Sequence, residues 1–288
     1  MDAMARIEQA LESAVAACES GGCAPSLAAA IRHAVFPGGA RVRPRLCIAV
    51  AAGSGCTDPS MVEAAAAIEL LHCASLVHDD LPCFDAAVLR RGRPSVHRAY
   101  GERIAVLTGD ALIVLAYQTA ARAVAESPQR LGAIIQALSR AAGAPAGICS
   151  GQAWECESQT PLSEYQQQKT GALFVAATTI GAIAAGVDPA PWQRFGECLG
   201  EAYQVADDIR DVLASTEELG KPAGRDAALG RPSCVAEVGV AGSVRRFEAL
   251  FNAALDAIPP CAGAAQLRTL MLLEARRLLP ENLVRQAA

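Results

Sequence analysis

An alanine-rich apolar run from Met61 to Val77 ends in His78-Asp79-Asp80-Leu81-Pro82, and that ending constrains the fold more than any other stretch. Proline has no N–H and clashes with the turn before it, so the pattern predicts a central helix that stops or kinks around Asp79 to Leu81. Two carboxylates then sit at a helix C-terminus, where the macrodipole already disfavours negative charge by roughly 0.3–1 kcal/mol. Such a site needs a cation. A third carboxylate, Asp85, follows within the next loop.

A second acidic cluster, Asp207-Asp208-Ile209-Arg210-Asp211, lies far down the chain with no proline inside it. Spacings of three and four put Asp207, Asp208 and Asp211 on neighbouring positions of one helical face. Mg2+ prefers oxygen ligands and is commonly held by one or two carboxylates while substrate phosphates complete its shell. Two facing clusters can therefore grip one diphosphate through bridging metal ions. A lone Asp-Asp pair on a helix is more often a solvated face or a cap, so the reading depends on both clusters and their surroundings.

The chain has 288 residues, enough to bury a substantial core. Apolar residues make up 52% and aromatics only 4%, which predicts small-residue helix packing with little sheet. A net charge of −5 argues against nucleic acid as a partner, because phosphate backbones demand a basic face. The 11 cysteines are odd in number and contain no Cys-x-x-Cys pair, which fits reduced thiols in a cytoplasmic protein better than disulfides or zinc. Charges at helical intervals in Met1 to Ala17 exclude a secretory signal. The longest uncharged run, Thr170 to Val187, is near the lower limit for a bilayer, and its threonines and glycines mark a buried helix; no transmembrane segment is expected.

In chain order, helices are predicted over Ala3–Glu19 and Ser26–Val35, then Phe36-Pro37-Gly38-Gly39-Ala40-Arg41-Val42-Arg43-Pro44-Arg45 sets arginines beside a glycine turn. Guanidinium forks bind phosphate oxygens, so this segment reads equally as a diphosphate grip or as a basic loop opening the next helix. His72 and His78 are six residues apart rather than the four of a helical metal pair, which makes His72 a hydrogen-bond donor to phosphate or a satisfied core group. Arg90, Arg91 and Arg93 follow the first aspartates closely, either as structural ion pairs or as contacts to the phosphates. Further helices are predicted over 109–125, 129–142, 192–213, 243–258 and 262–279, with a close crossing at Gly147–Glu155 and a basic glycine-proline loop at 219–232. No repeat or linker interrupts the chain, so one all-α domain over 1–288 is the simplest account.

The combination resembles the trans-isoprenyl diphosphate synthases from end to end. It rests on Gly-Gly-x-Arg-x-Arg-Pro at 38–44, Asp79-Asp80-x-x-x-x-Asp85, Arg90-Arg91-Gly92, Lys169-Thr170-Gly171, Gln204 with Asp207-Asp208-x-x-Asp211, and Gly220-Lys221. Within that family the chain looks most like bacterial geranylgeranyl diphosphate synthases. The resemblance implies an antiparallel helical bundle around a deep central cavity, working as a homodimer. It implies three Mg2+ ions held on an allylic diphosphate by Asp79, Asp80 and Asp85 on one wall and Asp207, Asp208 and Asp211 on the other. Arg90, Lys169, Thr170, Gln204 and Lys221 would contact that allylic diphosphate, and Arg43, His72 and Arg91 the diphosphate of isopentenyl diphosphate.

Two departures accompany the resemblance. Ala40 stands where many members carry a lysine, which leaves Arg41 or Arg45 to replace an isopentenyl-diphosphate contact. Ala86-Ala87-Val88 stands where many carry further acids.

Ionisation of the allylic diphosphate, attack by the isopentenyl double bond and proton loss to the released diphosphate need metals and cations but no side-chain nucleophile. Chain length should follow from the pocket beneath the first aspartates. Positions four and five before Asp79 lie roughly 6–7.5 Å down a helix wall, and here they are Ser75 and Ala74. In the family an aromatic at the fifth position commonly stops growth at fifteen carbons. Ala74 leaves room for a twenty-carbon product, and Ala74→Tyr is expected to shorten it. The alternatives are a farnesyl diphosphate synthase, a cyclising terpene synthase, and a catalytically weak subunit that modulates an active synthase.

Overall fold

The structure is a computed structural model that describes residues 2–123, 127–213 and 232–279. It is an all-α bundle: among the described residues the only strands are β1 (Leu89–Arg90) and β2 (Arg93–Pro94), an antiparallel pair with Leu89 opposite Pro94. The helices in the first half are α1 (Ala3–Cys18), α2 (Pro25–Val35), α3 (Val42–Gly53), α4 (Met61–Asp79), α5 (Val96–Tyr100) and α6 (Glu102–Arg122). The second half adds α7 (Leu131–Ala142), α8 (Ile148–Ala153), α9 (Leu162–Gln166), α10 (Ala172–Ala185), α11 (Ala190–Leu213), α12 (Cys234–Asp256) and α13 (Ala264–Leu278).

The predicted central helix is α4, and it ends at Asp79 as the downstream proline requires. Its alanines 64–67 are wholly buried, and it packs chiefly on α6. The long uncharged run is α10, buried along nearly its whole length between α3 and α11. Small residues allow this. A Cβ on Gly200 would lie 2.5 Å from the Gly171 Cα, so α11 can approach the start of α10 only with glycine there. The last turns of α11, with Asp207, then line one cavity with the end of α4. The core around it includes Phe174, Phe195, Leu70 and Ile68, each fully buried and each contributing about 1.5–3 kcal/mol of burial free energy.

Three predicted boundaries shift. The helix expected from 109 begins at Glu102, because the break is Gly101 at φ 85°, while Gly109 lies inside the helix against the His78 ring. The helix expected from Ser243 begins at Cys234 and is interrupted at Gly239, whose φ of 69° breaks the regular turn. Val42–Gly53, which the sequence left as a basic segment opening a helix, is the helix α3. By length and composition α4 and α6 could each cross a membrane; the apolar window is 67% buried in α4 but 44% in α6.

Candidate active site

A cavity of about 420 Å³ opens between the C-terminal end of α4, the loop after it, the start of α10 and the last turns of α11. On its first wall, Pro82 does not merely end α4. The chain turns back so that the Asp85 N–H donates to the Asp79 carbonyl at 2.9 Å, which sets both carboxylates facing the cavity although six residues separate them. Asp80 turns the other way. It is 2% exposed and accepts from Arg90 Nε at 2.9 Å and from the Arg90 terminal nitrogen. Burial pushes its carboxyl up to about 6, even with Arg90 bound. Arg90 also lies 3.6 Å from Asp79, so the cation that the helix end demanded is present.

A residue that sequence reasoning missed lies beside the carboxylates of this wall. Oxygens of Asp79, Asp85 and Glu155 lie within 4.8 Å of one another, a spacing that fits one divalent cation held through oxygen. Glu155 ends the glycine-rich crossing of α8, where a Cβ on Gly151 would lie 2.2 Å from the Lys169 backbone nitrogen. The sequence carries the signal: an acid ends the close crossing at Gly147–Glu155, and its side chain meets the Lys169 ammonium. Lys169 sits in a π-helical turn, Gln167–Gly171, an element frequent at functional sites. Its ammonium donates to Asp79 at 3.1 Å and to Glu155, while Glu155 also accepts from the Tyr165 hydroxyl at 2.7 Å.

On the opposite wall Asp207 lines the cavity. Asp208, also at the wall, is 3% exposed and accepts from Gln166 at 3.1 Å, Gln204 at 2.9 Å and the Cys234 backbone N–H at 2.7 Å. Asp211 is buried and off the cavity wall. The expected three-aspartate face thus divides: helical spacing is as predicted, but Asp208 is occupied by backbone and amide donors. Gln204 gives its amide N–H to Asp208, so its oxygen accepts from the Thr170 hydroxyl at 2.6 Å. Lys221 lies outside the described residues.

Below and beside these groups is a second cationic set. The Arg43 guanidinium lies over Phe174 at 4.6 Å and Tyr203 at 5.7 Å from the ring centres, with one terminal nitrogen 3.5 Å from His72 Nε2. Arg43 Nε and one Arg91 terminal nitrogen are buried with no hydrogen-bond partner, as donors kept for an anion would be. Burial, reinforced by Arg43, Arg91, Arg90 and Arg41, holds the His72 imidazole well below its ordinary pKa, so it is neutral and can donate one N–H. Neither proposed substitute for the lysine missing at 40 is free. Arg41 is committed to Glu8, Glu69 and the Val35 carbonyl, and Arg45 to Glu274 at 2.6 Å. Ser75 lines the cavity, whereas Ala74 is 1% exposed and packed in the core beside it.

These features define a helical protein whose one cavity gathers carboxylates, a lysine and arginines beside apolar side chains. Residues 24–255 match the polyprenyl synthetase family model, and the chain belongs to that family. It is 51% identical to the geranylgeranyl diphosphate synthase of Cereibacter sphaeroides over 96% of each chain, and 47% identical to that of Rhodobacter capsulatus over 95% of each. Among solved structures it resembles the Helicobacter pylori geranyltransferase complexed with magnesium and isoprenyl diphosphate, with a TM-score of 0.81, 28% identity and coverage of 96% and 98% of the two chains. A Zymomonas mobilis FPP/GFPP synthase matches with a TM-score of 0.78 at 29% identity, over 93% and 96% of the chains.

Proposed function

We infer that the chain is a prenyltransferase that condenses isopentenyl diphosphate with an allylic diphosphate and carries the product to geranylgeranyl diphosphate. The observation that carries this is that two sets of groups lie on one cavity: Asp79, Asp85, Lys169 and Asp207, with Glu155 beside them, and apart from these Arg43, His72 and Arg91. A cyclising synthase needs only the first.

Asp79, Asp85 and Glu155 on one side and Asp207 on the other are the residues placed to hold magnesium. Bound there, the ions would neutralise a departing diphosphate. Lys169 and Arg90 add fixed positive charge on the same side, where negative charge develops as the allylic C–O bond ionises. The Gln204–Thr170 pair, locked by Asp208, lines the cavity on that side. Arg43, placed over two aromatic rings, and Arg91 would hold isopentenyl diphosphate with its double bond toward the allylic carbon. His72 donates a hydrogen bond without adding charge. Leu76, Leu173 and Ile148 supply the apolar lining that excludes water from the cation. The proton lost after coupling goes to the released diphosphate, the strongest acceptor at hand.

A homodimer is supported by α6, where Val106, Leu107 and Val114 are 42%, 51% and 57% exposed on a helix otherwise packed against the bundle. All 11 cysteines are free, which supports a reducing, cytoplasmic setting. One domain spans the chain in this reading. The modulatory-subunit reading draws on Ala40, with Arg41 and Arg45 committed elsewhere. Diphosphate release decides between them: release that requires Mg2+, isopentenyl diphosphate and an allylic diphosphate together supports the synthase. Release of nothing under any combination removes it.

A further inference from the structure

Glu69 is a carboxylate, 2% exposed, on the same face of α4 as His72 and Asp79 and on the wall of the cavity. A buried acid beside a site for anions is electrostatically costly unless it is compensated. Its Oε1 accepts from Arg41 at 2.8 Å and also lies 3.7 Å from an Arg91 terminal nitrogen. One oxygen thus faces two guanidinium groups. Both arginines sit in left-handed backbone, Arg41 at φ 49° and Arg91 at φ 54°, a conformation that costs about 1 kcal/mol or more and persists only where surroundings enforce it. Gly39 lets the Arg91 side chain lie along the backbone, since a Cβ there would stand 3.2 Å from Arg91 Nε.

Arg41 itself does not reach for ligand. Its remaining donors go to Glu8 on α1 and to the Val35 carbonyl, and its side chain is wholly buried. Glu8 and Glu69 together balance the charges of Arg41 and Arg91 within the cluster. Arg91, by contrast, keeps one terminal nitrogen without a partner.

We propose that Glu69 is a positioning residue for the isopentenyl-diphosphate site: anchored by Arg41, its carboxylate holds the Arg91 guanidinium at the cavity wall, where the incoming diphosphate is bound. The proposal rests on the reading of Arg91 given above. Because Ala40 supplies no cation and His72 is neutral, Arg43 and Arg91 are the two charges of that site, and misaiming one of them should be felt.

The test is steady-state kinetics of Glu69→Gln with each substrate varied in turn. The Michaelis constant for isopentenyl diphosphate rises about tenfold or more, the scale of one misplaced charge-assisted hydrogen bond, while that for the allylic diphosphate is unchanged. Glu69→Asp, which keeps a negative charge in the cluster but shortens its reach to both arginines, shows the same split and serves as the test if the glutamine variant does not fold. An unchanged or lower constant for isopentenyl diphosphate, or equal rises for both substrates, reduces Glu69 to packing α1 on α4. A wild-type chain that elongates nothing overturns the synthase reading and this inference with it; an active wild type with an indifferent variant overturns this inference alone.

Discussion

Asp208 Oδ2 accepts the backbone N–H of Cys234 at 2.7 Å, joining the last turns of α11 to the first turn of α12. The neighbouring Asp207 lines the same cavity without that backbone bond. Adjacent carboxylates of one acidic cluster therefore do different work. Asp207→Asn is predicted to raise the Mg2+ concentration needed for half-maximal rate while leaving the melting temperature in place. Asp208→Asn turns one acceptor oxygen into a donor, strands at least one of the three donors and costs about 1–3 kcal/mol of stability, read by thermal melting. The reverse pattern would assign the metal to Asp208.

Chain length should respond at Ser75 more than at Ala74. Ser75→Phe projects an aromatic ring into the cavity and shortens the main product to fifteen carbons, as seen by mass after phosphatase treatment. Ala74→Tyr must fit a ring into close-packed core, so it lowers stability by about 1–3 kcal/mol and shortens the product only by pushing α4 aside. Shortening by Ala74→Tyr with an unchanged melting temperature would place Ala74 on the path of the growing chain after all.

His72 gives a pH dependence of definite sign. Its folded pKa is depressed below the ordinary 6.5 by burial and by the arginines around it. The unfolded chain therefore takes up a proton that the folded chain refuses. Its contribution is fully present above pH 6.5 and is lost as pH falls from 6.5 through the lowered folded value, with a slope approaching about 1.4 kcal/mol per pH unit. Melting of ligand-free protein at pH 7.5 and 5.5 should show this loss in the wild type and less of it in His72→Gln.

Arg41 and Arg45 flank the same short segment yet differ in what they hold. Arg41→Gln removes the nearer of the two guanidinium groups facing the buried Glu69 and costs about 3–5 kcal/mol. Arg45, whose side chain is 25% exposed, pairs with Glu274, and Arg45→Gln costs about 1 kcal/mol or less. Denaturant midpoints compare the two directly.

Much of this architecture is legible in residue order. The apolar run before Pro82 gives α4 and its end, the uncharged stretch after Lys169 gives α10, and the spacing of Asp207 and Asp211 places them on a helix. What escapes is what depends on contacts between distant segments. Nothing near Glu155 in the chain tells of Asp79 and Asp85; only the fold brings the end of the α8 crossing against the loop after α4. Likewise Asp79 and Asp80 are alike in sequence, and the difference arises because Arg90, carried on β1, reaches one face of the turn. Arg41 was a plausible phosphate ligand until Glu8, far earlier in the chain, claimed it. Helical periodicity fixes which way a side chain points along its own helix, but not which partner meets it.

The most direct test of the account is the product itself. Purified protein is incubated with Mg2+, isopentenyl diphosphate and, separately, dimethylallyl, geranyl or farnesyl diphosphate, and the dephosphorylated products are identified by mass. The account predicts geranylgeraniol as the end product. Farnesol alone would keep the enzyme class but contradict the pocket reading, and no elongation from any starter would contradict the central claim that the two anion sites act on two diphosphates at once.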